Sequence, residues 1–257
     1  MNQPTIERMK KLYDNLDSYY KRAKIYRVSD ASKFECPKYE DCKSGCNTFD
    51  ITRMPIIGRN YYTQGLPGIL VVSMDRGTKK DGEKDGIDTR EPETQETIDK
   101  WHKNTHWYKT NHFIWNLLKK VNSDITFSDA TSMFAATNAV KCTTNNKNNA
   151  NANRRLFNNC KVYLQEEIEI FNPDILITQG KITAESVRFA LQISDESFST
   201  CGHLSHKCKW IQFRLPSGKV CFWLDTYHPN ARKELHYNKV SPGYFKCYGN
   251  IIKNKFT

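Results

Sequence analysis

Apolar side chains recur at spacings of three and four between Thr5 and Tyr26, with Ile6, Met9, Leu12, Leu16, Tyr19, Tyr20 and Ala23 on one face and Lys and Arg on the other. This is the period of an amphipathic helix, expected over about residues 4–26 and packed on the rest of the domain. The pattern then changes. GILVVS (68–73) is a short, β-branched run preceded by Pro67-Gly68, which predicts a buried strand ending at Asp75-Arg76-Gly77. Residues 78–100 are polar and acidic with scattered glycines, and they read as a long loop of the kind that usually serves function in a compact domain.

The helical period returns over Asn111–Val121 through Phe113, Ile114, Leu117, Leu118 and Val121, and SMFAATNAV (132–140) predicts a second buried strand. Eight of the fifteen residues 145–159 are Asn, a composition that favours turns and exposed loops. A helix over about Arg154–Phe171, stopped by Asn172-Pro173, precedes a third buried strand, DILITQG (174–180), and a further helix over Lys181–Leu191. WIQFRL (210–215) and KVCFWLDTY (219–227) predict two strands around the Pro216-Ser217-Gly218 turn, followed by His228-Pro229 and a last helix over roughly Pro242–Lys253. Strands alternating with helices imply an α/β protein. The expectation is a single domain over residues 1–257, a three-layer α/β/α sandwich with a central, mostly parallel sheet. Chemistry in such sheets collects at the carboxyl ends of the strands, here Asp75, Asn138 and His228.

Composition narrows the class. With 257 residues, 38% of them hydrophobic and 12% aromatic, the chain can bury a sizeable core. No run approaches a membrane span and the first residues lack a secretory pattern, so a cytoplasmic protein without a membrane partner is expected. The formal charge of +11 is uneven, because residues 201–257 hold ten basic and two acidic side chains. Such a concentration favours phosphate binding through counterion release, although a face that merely keeps the protein soluble has the same composition. Nine cysteines in a reducing compartment argue for a metal site, a cluster or buried thiols rather than a disulfide framework. Cys42 and Cys46 are separated by three residues and Cys142 and Cys160 by seventeen; two distant pairs of thiolates brought together make cluster or zinc chemistry. Cys201, Cys208, Cys221 and Cys247 read as core thiols, with a zinc knuckle of Cys201, His203, His206 and Cys208 as the alternative.

VVSMDRG (71–77), TNAVKC (137–142), NRRLFNNCKVYLQEEIEIFNPDILITQG (153–180) and YHPNARKE (227–234) carry a resemblance over about residues 42–250. In this order they resemble the uracil-DNA glycosylase superfamily, most closely its iron–sulfur (family 4) branch. The resemblance implies a monomeric hydrolase that binds DNA, flips a pyrimidine and cuts its N-glycosidic bond. It also implies a structural [4Fe–4S] cluster on Cys42, Cys46, Cys142 and Cys160, with structural zinc as the alternative. The family pair is usually more tightly spaced than Cys42 and Cys46, which makes Cys36 a substitute ligand.

Breaking this bond leaves a developing oxocarbenium on the sugar and an anion on the base, so the site needs a carboxylate near C1′ and donors aimed at the departing pyrimidine. Asp75 suits the first need and positions water; otherwise it is a turn residue capping Gly77. His228 suits the second by donating to the base O2; otherwise it is a buried structural histidine. Asn138 reads the flipped base, its amide serving uracil and cytosine alike, or else it satisfies a loop. Arg232 and Lys233 sit where the family's DNA-penetrating loop falls, and Arg154 and Arg155 flank the Asn-rich loop as phosphate ligands. Met74 stands where the iron–sulfur branch has glutamate. Residues 77–100 contain no Phe, Tyr or Trp to serve as the family's platform, and the next aromatics are Trp101, Trp107 and Tyr108. Gly77 stands near the position that closes the space beside pyrimidine C5. A wider pocket at Met74, Arg76 and Gly77 points to hydroxymethylated or glucosylated cytosine in phage DNA, excised as antiviral defence. Uracil repair, with Trp101 or Trp107 as platform, is the alternative, as is non-catalytic binding of modified or single-stranded DNA. No lysine is placed by the sequence for Schiff-base lyase chemistry.

Overall fold

The computed structural model describes residues 3–26, 28, 33–44, 49–50, 54–74, 87–100, 103, 105–144, 154–201, 208–230 and 237–256. Along the chain run α1 (Gln3–Arg22), α2 (Tyr39–Ser44), β1 (Phe49–Asp50), β2 (Ile56–Gly58), β3 (Ile69–Ser73), β4 (Asp88–Arg90), α3 (Gln95–Asp99), α4 (His106–Leu118) and α5 (Phe127–Ala130). They are followed by β5 (Phe134–Asn138), β6 (Thr143–Thr144), α6 (Arg154–Cys160), α7 (Leu164–Phe171), β7 (Ile175–Gln179), α8 (Lys181–Leu191), β8 (Ser199–Cys201), β9 (Cys208–Arg214), β10 (Val220–Thr226) and α9 (Tyr237–Phe256).

Eight strands form the main sheet in the order β4-β2-β5-β3-β7-β10-β9-β8, and β1 pairs with β6 apart from it. The central strands β5, β3, β7 and β10 are mutually parallel. β9 and β8 add antiparallel at one side, and β2 runs antiparallel to β5 at the other. A tight turn at residues 216–218 joins β9 to β10, and a connection that short leaves neighbouring strands no other direction.

Alternation along each strand sends successive side chains to opposite faces. Leu70, Val72, Leu176 and Trp223 join a core with Leu16 and Tyr20 of α1, Phe157 of α6, Ile168 of α7 and Val187 of α8. Ile69, Val71, Ile175, Ile177 and Leu224 face the other way, onto Phe113 and Leu117 of α4, Ala130 of α5 and Tyr248 of α9. The chain is an α/β sandwich whose central strands are buried on both sides, each large apolar side chain contributing about 1.5–3 kcal/mol.

Three departures from the sequence pattern bear on the site. The helix expected over Arg154–Phe171 is interrupted by a 3₁₀ turn at Lys161–Tyr163. β4 and α3 occupy the described part of the expected 78–100 loop. Most important, the helix expected from Asn111 begins at His106, where the Thr105 hydroxyl accepts from the Tyr108 N–H at 3.3 Å. Its first turns carry Lys109, Thr110 and Asn111, which are buried although polar.

Candidate active site at the carboxyl ends of the strands

β3, β5, β7 and β10 end side by side. Ser73 pairs with Asn138, and Gln179 with Thr226. The ladder continues past the strand ends, because the Ala139 N–H donates to the Ser73 carbonyl at 2.8 Å and the Val140 N–H to the Met74 carbonyl at 3.0 Å. Ser73 Oγ donates to Gln179 Oε1 at 2.8 Å, and Gln179 Nε2 donates to Thr110 Oγ1 at 3.0 Å. A buried amide thus ties the strand ends to the first turns of α4.

Gly180 follows with φ +100°, and its N–H donates to the Thr226 carbonyl at 2.9 Å. A Cβ there would lie 3.4 Å from His228 Cβ and 3.6 Å from Met74 Sδ, so the glycine both adopts the left-handed backbone and lets His228 and Met74 close over it. His228 Nδ1 accepts from the Asn230 N–H at 3.1 Å. That bond leaves the proton of the neutral ring on Nε2, which becomes the donor. The ring of His106 lies 5.0 Å from that of His228, centroid to centroid. Lys109 Nζ donates to Asn230 Oδ1 at 3.1 Å.

Electrostatics keep both imidazoles neutral. Burial drives the His106 pKa down to about 3, with the His228 and Lys109 charges acting in the same direction and a hydrogen bond to Gln179 opposing them. Burial and then the Lys109 charge also lower His228. The first turn of α4 adds the positive end of a helix dipole beside them, which favours an anion at this place.

Beneath Asn138 lies a buried charge network. Lys141 and Glu167 form an ion pair at 2% and 0% side-chain exposure. Lys141 Nζ also donates to the Asn138 carbonyl at 2.9 Å and to Thr137 Oγ1 at 3.2 Å. Thr137 Oγ1 donates to Glu167 Oε1 at 2.6 Å, and Tyr20 of α1 donates to the same oxygen. The helix at the start of the chain therefore braces the strand that presents Asn138.

A family model of the uracil DNA glycosylase superfamily matches residues 82–244. The chain belongs to this superfamily. No curated protein is found to match it. The matched span contains Asn138, Cys142, Cys160 and His228, and superfamily membership makes the protein a DNA glycosylase by class, with DNA as its substrate. Among the described residues no helix is long and apolar enough to cross a membrane.

Two of the superfamily's expected site residues, Asn138 and His228, stand at the carboxyl ends of β5 and β10, with β3 and β7 between them, and Met74 and His228 both lie over Gly180. Asp75, Arg76, Gly77, Arg232, Lys233 and Cys46 lie outside the described residues, as do Trp101, His203 and His206. Arg154 is exposed and lies 3.9 Å from Glu185. Arg155 reaches α2, donating to the Asp41 carbonyl at 3.3 Å and Ser44 Oγ at 3.1 Å. Trp107 packs on Phe134 and under the Arg90 guanidinium. Tyr108 stacks on His112. The ring that α4 does present to His228 is the His106 imidazole.

The thiols of Cys42, Cys142 and Cys160 are buried and that of Cys36 is half-buried, all in one core. Cys36 Sγ is 3.9 Å from the Tyr163 hydroxyl, Asn159 Nδ2 donates to Cys42 Sγ at 3.2 Å, and the Lys141 N–H donates to Cys160 Sγ at 3.4 Å. Burial pushes the Cys160 thiol up to about 11, partly offset by Lys141 and reinforced by Cys42 and Cys36. Among the described residues no three His, Cys, Asp or Glu side chains form a group suited to a metal ion. Of the expected packing thiols, Cys221 is free and buried, whereas Cys247 is disulfide-bonded, a covalent role that the expectation of reduced thiols did not include.

His106, Lys109, Gln179 and the Lys141–Glu167 pair escaped sequence reasoning. Gln179 and Lys141 fall inside the quoted motifs and carried a signal in their strand-end positions. His106 and Lys109 precede the apolar period of their helix and carried none.

Proposed function

We propose that the protein flips a C5-modified cytosine from DNA and hydrolyses its N-glycosidic bond, as an enzyme of the iron–sulfur branch acting against phage DNA. The observation that carries this reading is a His228 whose tautomer leaves Nε2–H as the donor, at the same carboxyl end of the parallel strands as Asn138. Asn138 hydrogen-bonds the polar edge of the flipped base. As the bond to C1′ lengthens, negative charge grows on O2, and His228 Nε2–H stabilises it without first losing a proton. The amino-terminal turn of α4 adds a fixed positive potential. Asp75 stabilises the sugar cation and positions the attacking water. Met74, Arg76 and Gly77 shape the pocket, and Arg154, Arg155, Arg232 and Lys233 supply positive charge toward DNA. Among the described residues Trp107 is held between Phe134 and Arg90 rather than offered as a platform, which supports a pocket with room for a C5 substituent.

Support for an iron–sulfur cluster is the thiol chemistry of the donors and their place in one core, where Cys42 and Cys36 act on Cys160, although among the described residues they do not stand as a metal-binding group. Cys42, Cys46, Cys142 and Cys160 would hold it, with Cys36 as the substitute for Cys46. When bound, it would supply a structural crosslink between α2, β5 and α6. Purified protein is expected to absorb near 400 nm and to contain iron and acid-labile sulfide. Cys46→Ser is expected to remove that absorbance and Cys36→Ser to retain it; the opposite result would assign the fourth ligand to Cys36, and zinc without iron would replace the cluster.

The decisive experiment is a panel of oligonucleotides carrying uracil, 5-hydroxymethylcytosine and its glucosylated form, scored for alkali-labile sites. Sites at the modified cytosines are expected. Cleavage at uracil alone would overturn the substrate assignment, and cleavage at none would overturn the enzymatic reading.

A further inference from the structure

Lys109 is a buried amine at the strand ends that base departure does not use. It lies on the first turn of α4 and is 3% exposed. Its Nζ donates to Asn230 Oδ1 at 3.1 Å, in the same short segment as His228, and its charge acts on both His106 and His228. A lysine placed there is set against its own charge: it is buried, and it sits at the positive end of a helix. Burial lowers its pKa from the ordinary 10.5, which raises the share of free amine, the form that attacks carbonyl carbon. Base excision leaves such a carbon in the site, because C1′ of the abasic sugar opens to an aldehyde.

We propose that Lys109 captures the abasic product as an imine and gives this protein a strand-cleaving lyase activity. The inference rests on the base-excision reading, since it acts on the product of that reaction. Lys109 Nζ forms a bond to C1′, the aldehyde oxygen leaves as water, and a protonated imine results. The imine draws electrons from C2′, whose proton passes to water, because His228 Nδ1 already accepts from the Asn230 N–H and its Nε2 carries the ring proton. The C3′–O bond breaks and the 3′-phosphate leaves with the electron pair. Water then hydrolyses the imine and releases Lys109 as the amine.

DNA carrying a preformed abasic site tests this without requiring the protein to excise a base. With borohydride present, wild-type protein is expected to form a covalent DNA adduct that maps to the peptide containing Lys109, and without borohydride to nick the strand in the absence of alkali. Lys109→Arg and Lys109→Gln each keep a donor toward Asn230 but lack a nucleophilic amine, and both are expected to lower adduct and nicking at least about tenfold. An adduct that persists in both variants or maps to another residue, or a wild type that forms none, overturns the proposal. Mapping the wild-type adduct decides the matter even if a variant fails to fold. Alkali-labile sites on the base panel without any adduct strike this inference alone. An adduct at Lys109 without excision of any base strikes the glycosylase reading instead.

Discussion

At the scale of single residues, one hydrogen bond fixes the tautomer on which the role proposed for His228 depends. The Asn230 N–H takes Nδ1, so the neutral ring points a proton outward from Nε2, and burial lowers the pKa so that this neutral form dominates. Protonation of Nδ1 would break the Asn230 bond and with it the ring orientation that the proposed role requires. The acid limb of kcat is therefore expected below the ordinary histidine value of 6.5, and it should vanish in His228→Ala, whose residual kcat falls by about 10²–10³. A pH–rate profile of both proteins checks this; an unchanged acid limb in the variant would assign it to another group. The place of Asn138 and His228 at the carboxyl ends of strands was legible from sequence because each closes a short apolar run, and the end of such a run is a place in the sheet. His106 and Lys109 were not, because polar residues buried by neighbours distant in sequence leave no apolar period.

Between elements, the Lys141–Glu167 pair couples β5 to α7 and, through Tyr20, to α1. Removing one partner strands a buried charge, so Lys141→Met is expected to cost about 3–5 kcal/mol in thermal or denaturant unfolding. Adding Glu167→Leu should recover most of that stability, since neither charge then remains buried alone. Excision should stay depressed in the double variant, because the Asn138 carbonyl has lost the ammonium that holds it. Full recovery of excision would show that the pair serves stability alone. The separate members are visible in the sequence, and α1 itself is legible from its period. Their meeting is not, since 26 residues separate the two charges and over a hundred separate Tyr20 from Glu167.

Over the whole molecule, the buried imidazoles link folding to pH. An unfolded histidine takes up a proton near 6.5, whereas folded His106 resists protonation down to about 3. Between those values the unfolded chain binds more protons than the folded one. The stabilisation is therefore complete above about pH 6.5 and is lost as pH falls toward 3. Melting temperature should decline through this interval, and His106→Phe should flatten the decline; an unchanged slope would show that His106 does not report the transition.

The sequence by itself determined the central strands, most of the helices against them and the carboxyl end of the sheet where Asn138 and His228 stand, because periodic burial is written locally in residue order. Tertiary structure decided what surrounds that end. It started α4 early enough to bring His106 and Lys109 in, drew Cys36 beside Cys160, and set Lys141 against Glu167. Those outcomes depend on which distant surfaces exclude water from polar groups, and no local pattern records that.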